Sequence, residues 1–351
     1  MNPDDIRRIL IVQTAFLGDV ILTTPLIEAA HVGFPGADIH IMVVPAARNL
    51  VEDRPDIGKI ILFDKKGKHS GFKFLSVARE IRTGDYDLVL SPHRSFRSAL
   101  LSWMSRADIR IGFHNSAGRF LYTRCIPYRR DIHEIDRNLS LIEVLGVRIQ
   151  NRLPSIYPTP EDRKVVDEIF RDVKKSVVVA PGSVWATKRW PKEYFQSVVE
   201  RLTAEGVRVI LIGADNDRLL CQEIKAKQHG TVENFAGQLT IRQSAELVRR
   251  CAVLVSNDSA PVHLAVAVGT PVVAIFGPTI TGFGFAPYGL GHTVVEIDLA
   301  CRPCGKHGGR TCPIDTHECM IAISPERVYR AIREYVSLST HTSKNNSEID
   351  E

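Results

Sequence analysis

No stretch of this 351-residue chain is apolar for long enough to span a bilayer, which takes about twenty such residues. Near the N-terminus only residues 9–12 follow Arg7 and Arg8 as an apolar run, too short for the core of a signal peptide, so export is not expected. Seven cysteines, an odd number in a chain without an export signal, argue against a disulfide framework and for a reducing, cytoplasmic compartment. The first βα turn holds one glycine rather than G-x-G-x-x-G, which leaves a nicotinamide cofactor unsupported. No Walker sequence is present for P-loop phosphoryl transfer either. Lysine is missing from 91–130, where eight arginines stand beside a single acid, Asp108. Arginine grips phosphate and carboxylate with two hydrogen bonds where lysine is a point charge. The alternatives for this segment are a solvated basic face and a surface for an acidic ligand or membrane. No aromatic stacking platform is expected among these arginines and no nucleic-acid motif accompanies them, so nucleic acid is not an expected partner.

What the chain does have is alternation. Strands are expected at 9–12, 39–44, 59–63, 86–90 and 109–112, then at 177–180, 207–212, 232–235, 253–256, 272–276 and 293–297. Helical patterns fit between them at 20–31, 46–52, 72–82, 96–105 and 135–145, then at 161–172, 192–205, 217–228, 241–250 and 260–268. This order predicts α/β architecture with parallel sheets and right-handed crossovers. It divides into two doubly wound, Rossmann-like domains, 1–150 and 161–323, facing across a cleft. A proline-rich linker at 151–160 joins them, and a glycine- and proline-rich loop, 277–291, suits a mobile cover. A final helix within 324–337 is expected to pack back across the junction, with a disordered polar tail at 338–351.

Chemistry gathers at a few loops. In 253–278 a strand runs through a polar elbow into a short helix of small residues and on to a second strand. The elbow sets Asp258, Ser259 and helix N–H groups at the carboxyl end of a sheet, where open α/β sheets bind ligands and helix N-termini favour anions. Asp258 or Ser259 simply capping the helix is the alternative. The loop 181–191 offers Gly182, Ser183 and Lys188 after a strand, a set suited to a diphosphate, while Trp190 and Pro191 read as packing. Asp215, after another strand, suits ribose hydroxyls or an exposed cap, and His263 a phosphate, a sugar or the core. In the first turn Gly18 allows close backbone approach and Asp19 is a general base or a helix cap. Pro25 is expected to kink or restart the following helix, with Thr24 as its cap. Cys301-x2-Cys304-x7-Cys312-x6-Cys319 suggests a structural metal, zinc or iron, against free thiols or a facultative disulfide. Cys125, Cys221 and Cys251 read as ordinary buried cysteines.

Three of these motifs, FLGDVILTTPLIEA, APGSVWATKRWP and SNDSAPVHLAVAVGTPVVAIFGPT, together resemble the ADP-heptose:lipopolysaccharide heptosyltransferases, glycosyltransferase family 9. HEIDRNLSLIEVLGV extends the likeness, which spans roughly residues 6–336, and the cysteine block looks more like that of the family's second heptosyltransferase than its first. The resemblance implies a GT-B fold and an inverting glycosyltransferase. It moves L-glycero-D-manno-heptose from ADP-heptose to the inner core of lipopolysaccharide (Kdo/heptose-lipid A), as its second heptose. Asp19 then matches the catalytic base and Lys188 the cation on the donor diphosphate. Asp258 and Ser259 match the pair that grips heptose and phosphates, with His263 nearby, and Asp215 falls loosely at the ribose acid, where the family more often has glutamate. Gly18, Arg94 and Arg97 would face the acceptor. No catalytic cofactor is implied, and a lipid-borne acceptor implies peripheral contact with the inner face of the inner membrane. A heptosyltransferase acting on protein and a nucleotide-sugar epimerase of the same fold are the alternatives.

Overall fold

The computed structural model describes residues 5–64, 74–170 and 176–345. The chain divides into two compact units, Met1–Tyr157 and Pro158–Glu351.

In the first unit the elements run β1 (Arg8–Val12), α1 (Leu17–Ile21), α2 (Thr24–Gly33), β2 (Asp38–Val43), α3 (Arg48–Val51) and β3 (Lys59–Leu62). They continue with α4 (Phe74–Arg82), β4 (Leu88–Leu90), α5 (Phe96–Met104), β5 (Ile109–Phe113), β6 (Arg124–Ile126) and α6 (Glu134–Glu143). The second unit runs α7 (Pro160–Ile169), β7 (Ser176–Ala180), α8 (Lys192–Ala204), β8 (Arg208–Leu211), α9 (Arg218–Lys225) and β9 (Val232–Asn234). It ends with α10 (Ile241–Arg250), β10 (Val253–Asn257), α11 (Ala260–Ala267), β11 (Val272–Phe276), β12 (Thr293–Glu296), α12 (Glu318–Ile321) and α13 (Pro325–Asn345).

Each unit is built on a six-stranded parallel sheet. The orders are β3-β2-β1-β4-β5-β6 and β12-β11-β10-β7-β8-β9, the same doubly wound order read in opposite directions. The central strands are apolar on both faces because helices cover both. Ile9, Leu10, Ile11 and Val12 are all fully buried, as are Val253, Leu254 and Val255. In the second unit Trp190, Phe195, Val209, Ile224 and Ile332 belong to one core cluster, so α13 is built into this unit's core. The Trp190 indole N–H donates to the Ile323 carbonyl at 2.9 Å, which makes Trp190 a packing residue, as expected.

The order has one consequence for function. In each sheet the chain leaves its first strand to one side, builds two more strands, and returns to the other side. A crevice therefore opens at the carboxyl ends of β1 and β4, and again at those of β7 and β10. These switch points lie below the loops after Val12, Leu90, Ala180 and Asn257.

Several local expectations are corrected. The strand β6 was not foreseen. Pro25 does restart a helix, but Thr23 holds the cap position and Thr24 instead donates its hydroxyl to the Ile21 carbonyl at 2.8 Å. Cys125 is exposed, while Cys221 and Cys251 are buried as expected. The last helix continues to Asn345, well past its expected end. Residues 72–73 and 171–172 of two expected helices, and 346–351 of the expected tail, lie outside the described residues.

Candidate active site

In the first unit the loop after β1 turns straight into α1, which places Gly18 and Asp19 in its first turn. One carboxylate oxygen of Asp19 accepts the backbone N–H of Phe16 at 3.2 Å, so the capping alternative holds in part: the side chain closes the turn it stands on. Asp19 is only partly exposed, and desolvation by the protein around it first, and then the negative charge of Glu134, raise its pKa from 3.8 to about 7. Hydrogen bonding from Phe16 and the charge of Arg94 oppose the rise. An aspartate poised there exchanges protons near neutral pH, which an ordinary one does not.

Glu134 opens α6 and is buried. It accepts from the Tyr128 hydroxyl at 2.9 Å and from Arg137 at 2.8 Å. Arg137, only 2 % exposed, also donates to the carbonyls of Arg129 and Arg130. Arg94, in the loop after β4, lies over the Tyr128 ring at 4.0 Å. The same loop holds His93, whose Nδ1 is 2.9 Å from both the Thr14 and Ser98 hydroxyls. Asp19 and Arg94 thus come from the two loops of one switch point, while Arg97 stands exposed on α5. Sequence reading missed Tyr128, Glu134 and Arg137. Their signal was an acid in the first turn of a helix that follows an arginine pair.

In the second unit the loop after β7 sits tightly on its neighbour. A Cβ on Gly182 would lie 2.3 Å from the Asp217 carboxyl, so a side chain there would force Asp217 to move. The Ser183 hydroxyl accepts the Trp185 N–H at 3.3 Å. A 3-10 turn, Ala186–Lys188, then carries Lys188 inward until it is only 9 % exposed. Its ammonium meets the Asp258 carboxylate at 2.5 Å, and the Thr279 hydroxyl donates to the same oxygen at 2.6 Å. Asn257, at the end of β10, joins the two loops: its amide donates to the Pro181 carbonyl at 2.8 Å and its oxygen accepts the Trp190 N–H at 3.1 Å. Ser259 holds the cap position of α11, yet its side chain makes no cap hydrogen bond; it lies 3.3 Å from the Ser256 hydroxyl. The capping alternative is not met there, and an anion can be offered both the hydroxyl and the helix terminus. His263 is buried on α11. Asp215 is not gathered with this group: it is exposed after β8 and pairs with Arg218 at 3.1 Å.

The cysteine block braces the second site. Thr187 exchanges backbone and hydroxyl hydrogen bonds with Gly309, and the His317 ring lies 2.7 Å from the Thr187 carbonyl. At the other end Arg302 donates to the Thr279 carbonyl at 2.7 Å. One loop thereby holds both flanks of the Lys188–Asp258 pair. Thr279 is 2 % exposed and bonds a charged oxygen, so Thr279→Val is expected to cost about 1.5–3 kcal/mol in urea unfolding, with Thr279→Ser near wild type.

The four cysteines expected as a metal site lie near one another, the charges of Cys304, Cys301 and Cys312 adding to burial in raising the Cys319 thiol, without being drawn into a closed set. Cys301 and Cys304 are exposed while Cys319 is buried, and among the described residues no group of three or more His, Cys, Asp or Glu could hold an ion. Cys304, Cys312 and Cys319 do line one small cavity of about 100 Å³ with His307 and His317. Chelation during purification tests the block: an unchanged melting temperature means free thiols, and a drop of several degrees means that the thiols close round a metal.

Residues 74–314 match glycosyltransferase family 9 (heptosyltransferase). The matched stretch includes Lys188 and Asp258 but not Asp19. The lipooligosaccharide heptosyltransferase 2 of Haemophilus ducreyi is 25% identical over 357 residues, covering 94% of this chain and 99% of that one. A glycosyl transferase family 9 structure from Veillonella parvula superposes with a TM-score of 0.81 at 27% identity, covering 96% of this chain and 98% of its own. The E. coli ADP-heptose lps heptosyltransferase II has the same fold, with a TM-score of 0.77 at 22% identity over 95% and 99% of the two chains.

Proposed function

The chain belongs to glycosyltransferase family 9, and on that premise we propose that it transfers L-glycero-D-manno-heptose from ADP-heptose to the inner core of lipopolysaccharide, as the second heptose, with inversion. The observation that carries this reading is the buried Lys188–Asp258 pair at the β7/β10 switch point, beside an uncapped helix terminus. The diphosphate of the donor would lie against Lys188, Ser183 and the start of α11, with Gly182 keeping the loop close. Asp258, Ser259 and His263 would hold the heptose and phosphates, and Asp215 the ribose.

In the first unit Asp19 takes the proton from an acceptor hydroxyl. That oxygen attacks the anomeric carbon from the face opposite ADP, the bond to the diphosphate oxygen breaks, and ADP departs with the electron pair. Negative charge grows on the leaving group, and Lys188 with the α11 N–H groups stabilises it as it forms. Arg94, Arg97 and the backbone at Gly18 would orient the acidic acceptor, whose lipid brings the enzyme to the inner face of the inner membrane. Glycosyltransferase membership leaves the epimerase alternative without support.

The test is a panel of core-truncated acceptors carrying no heptose or one, with ADP-heptose as donor. The one-heptose acceptor should be used and the new linkage should show the inverted configuration by NMR. Preference for the heptose-free acceptor would move the enzyme to an earlier step, and retention would overturn the mechanism.

A further inference from the structure

The helix α5 is apolar on two faces, one of them outward. It buries Ser98, Ala99, Leu101 and Ser102, and the serines are satisfied locally: Ser102 donates to the Ser98 carbonyl at 2.8 Å and Ser105 to the Ser102 carbonyl at 2.6 Å. The opposite face carries Phe96, 49 % exposed, and Trp103, 52 % exposed, with Leu100 half-buried between them. At 3.6 residues per turn these three fall within an arc of about 60°. Ala99 and Leu101 already supply the inward apolar face, so this second, outward stripe is surplus to the core and available to an apolar partner.

A second element joins the stripe. Gly118, in the left-handed region at φ 82°, packs against Phe96 and Ala99, and the 3-10 turn that follows it holds out Phe120, 78 % exposed. Arg97 and Arg119 follow Phe96 and precede Phe120 directly in sequence and are exposed, and Arg106 and Arg124 are exposed on the same segment. The only acid between residues 91 and 130 is Asp108. Aromatic side chains ringed by cations are the chemistry of an anionic membrane interface: the rings sit at headgroup level, and each arginine near the surface strengthens binding about fivefold. Apolar insertion and charge together supply the two signals that stable peripheral attachment needs.

We propose that Phe96, Leu100, Trp103 and Phe120, flanked by Arg97 and Arg119, form a docking face for an anionic lipid bilayer. The face deepens the proposed reading, resting on its lipid-borne acceptor: the face anchors the unit that holds Asp19 to the surface in which the acceptor is embedded. Arg94 is drawn away from it onto the Tyr128 ring and so faces the acceptor alone, whereas Arg97 borders both the acceptor and the bilayer.

The test is cosedimentation of the full chain with vesicles of phosphatidylglycerol and phosphatidylethanolamine, against vesicles of phosphatidylcholine alone. Wild type should pellet with the anionic vesicles and not with the neutral ones. Trp103→Ser with Phe120→Ser should weaken anionic binding by tenfold or more, with an unchanged thermal melt, since both side chains are already half or more exposed. The same variant should transfer heptose to a deacylated, water-soluble core at the wild-type rate and to the lipid-borne core more slowly. Because sedimentation contains neither donor nor acceptor, failure of the transferase reading would leave its result intact. Equal pelleting of variant and wild type would overturn the docking face. So would a dimer that the variant splits without loss of vesicle binding, or tighter binding to single-stranded RNA than to vesicles.

Discussion

Asp19→Asn is expected to lower transfer by about 10²–10⁴-fold in kcat, with little change in the KM for ADP-heptose, because on the proposed reading the donor would be held by the other unit. The expectation rests on a carboxyl whose pKa stands at about 7. Below that pH the base is protonated and idle. Wild-type kcat should therefore rise about tenfold per pH unit up to pH 7 and level off above it, while the residual rate of the variant shows no such limb. Glu134 is the leading charge that holds the pKa up, so Glu134→Gln should move the limb to lower pH. Stability gives an independent sign. A carboxyl raised from 3.8 to about 7 favours the folded state when protonated, and that contribution is present below pH 3.8 and lost as pH rises through 7. Asp19→Asn, uncharged throughout, should accordingly melt higher than wild type at pH 8 and not at pH 4.

The second large effect lies at Lys188 and Asp258. Both are nearly buried, so removing one strands the other charge, and Asp258→Ala should destabilise the protein by about 3–5 kcal/mol. Replacing both by apolar residues of similar size, Lys188→Met with Asp258→Leu, should restore most of that loss, since a packed apolar pair needs no solvation. Transfer should not return. Loss of the cation on the leaving diphosphate should cost about 10²–10³-fold in kcat, whatever the stability. A double variant that folded well and still transferred would remove Lys188 from the chemistry.

Much of the fold could be read from the chain because buried parallel strands are short, nearly continuous apolar runs bounded by turns, and 253–257 or 272–276 can hardly be anything else. The exception, β6, has three residues, Arg124, Cys125 and Ile126, of which only Ile126 is buried, so no apolar run marks it. Site loops were legible where the residue type itself carries chemistry, as at Asp19, Lys188 and Asp258. What remained hidden was tertiary. Asn257 ties down Trp190 across sixty-seven residues of sequence, and Thr279 reaches Asp258 from a loop read only as a mobile cover. The cysteine spacing suggested a metal, whereas its neighbours Arg302, Gly309 and His317 do the bracing. In 91–130 the count of arginines drew attention from the aromatics among them, whose outward direction depends on which face of α5 the serines occupy.

The most direct measurement is the mass of a purified one-heptose lipopolysaccharide core after incubation with ADP-heptose and the wild-type chain, alongside Asp19→Asn. The wild-type enzyme should add a single heptose with one ADP released for each, and the variant should leave the core unchanged over the same time. An unmodified core with the wild-type enzyme, or equal modification by both, would contradict the account.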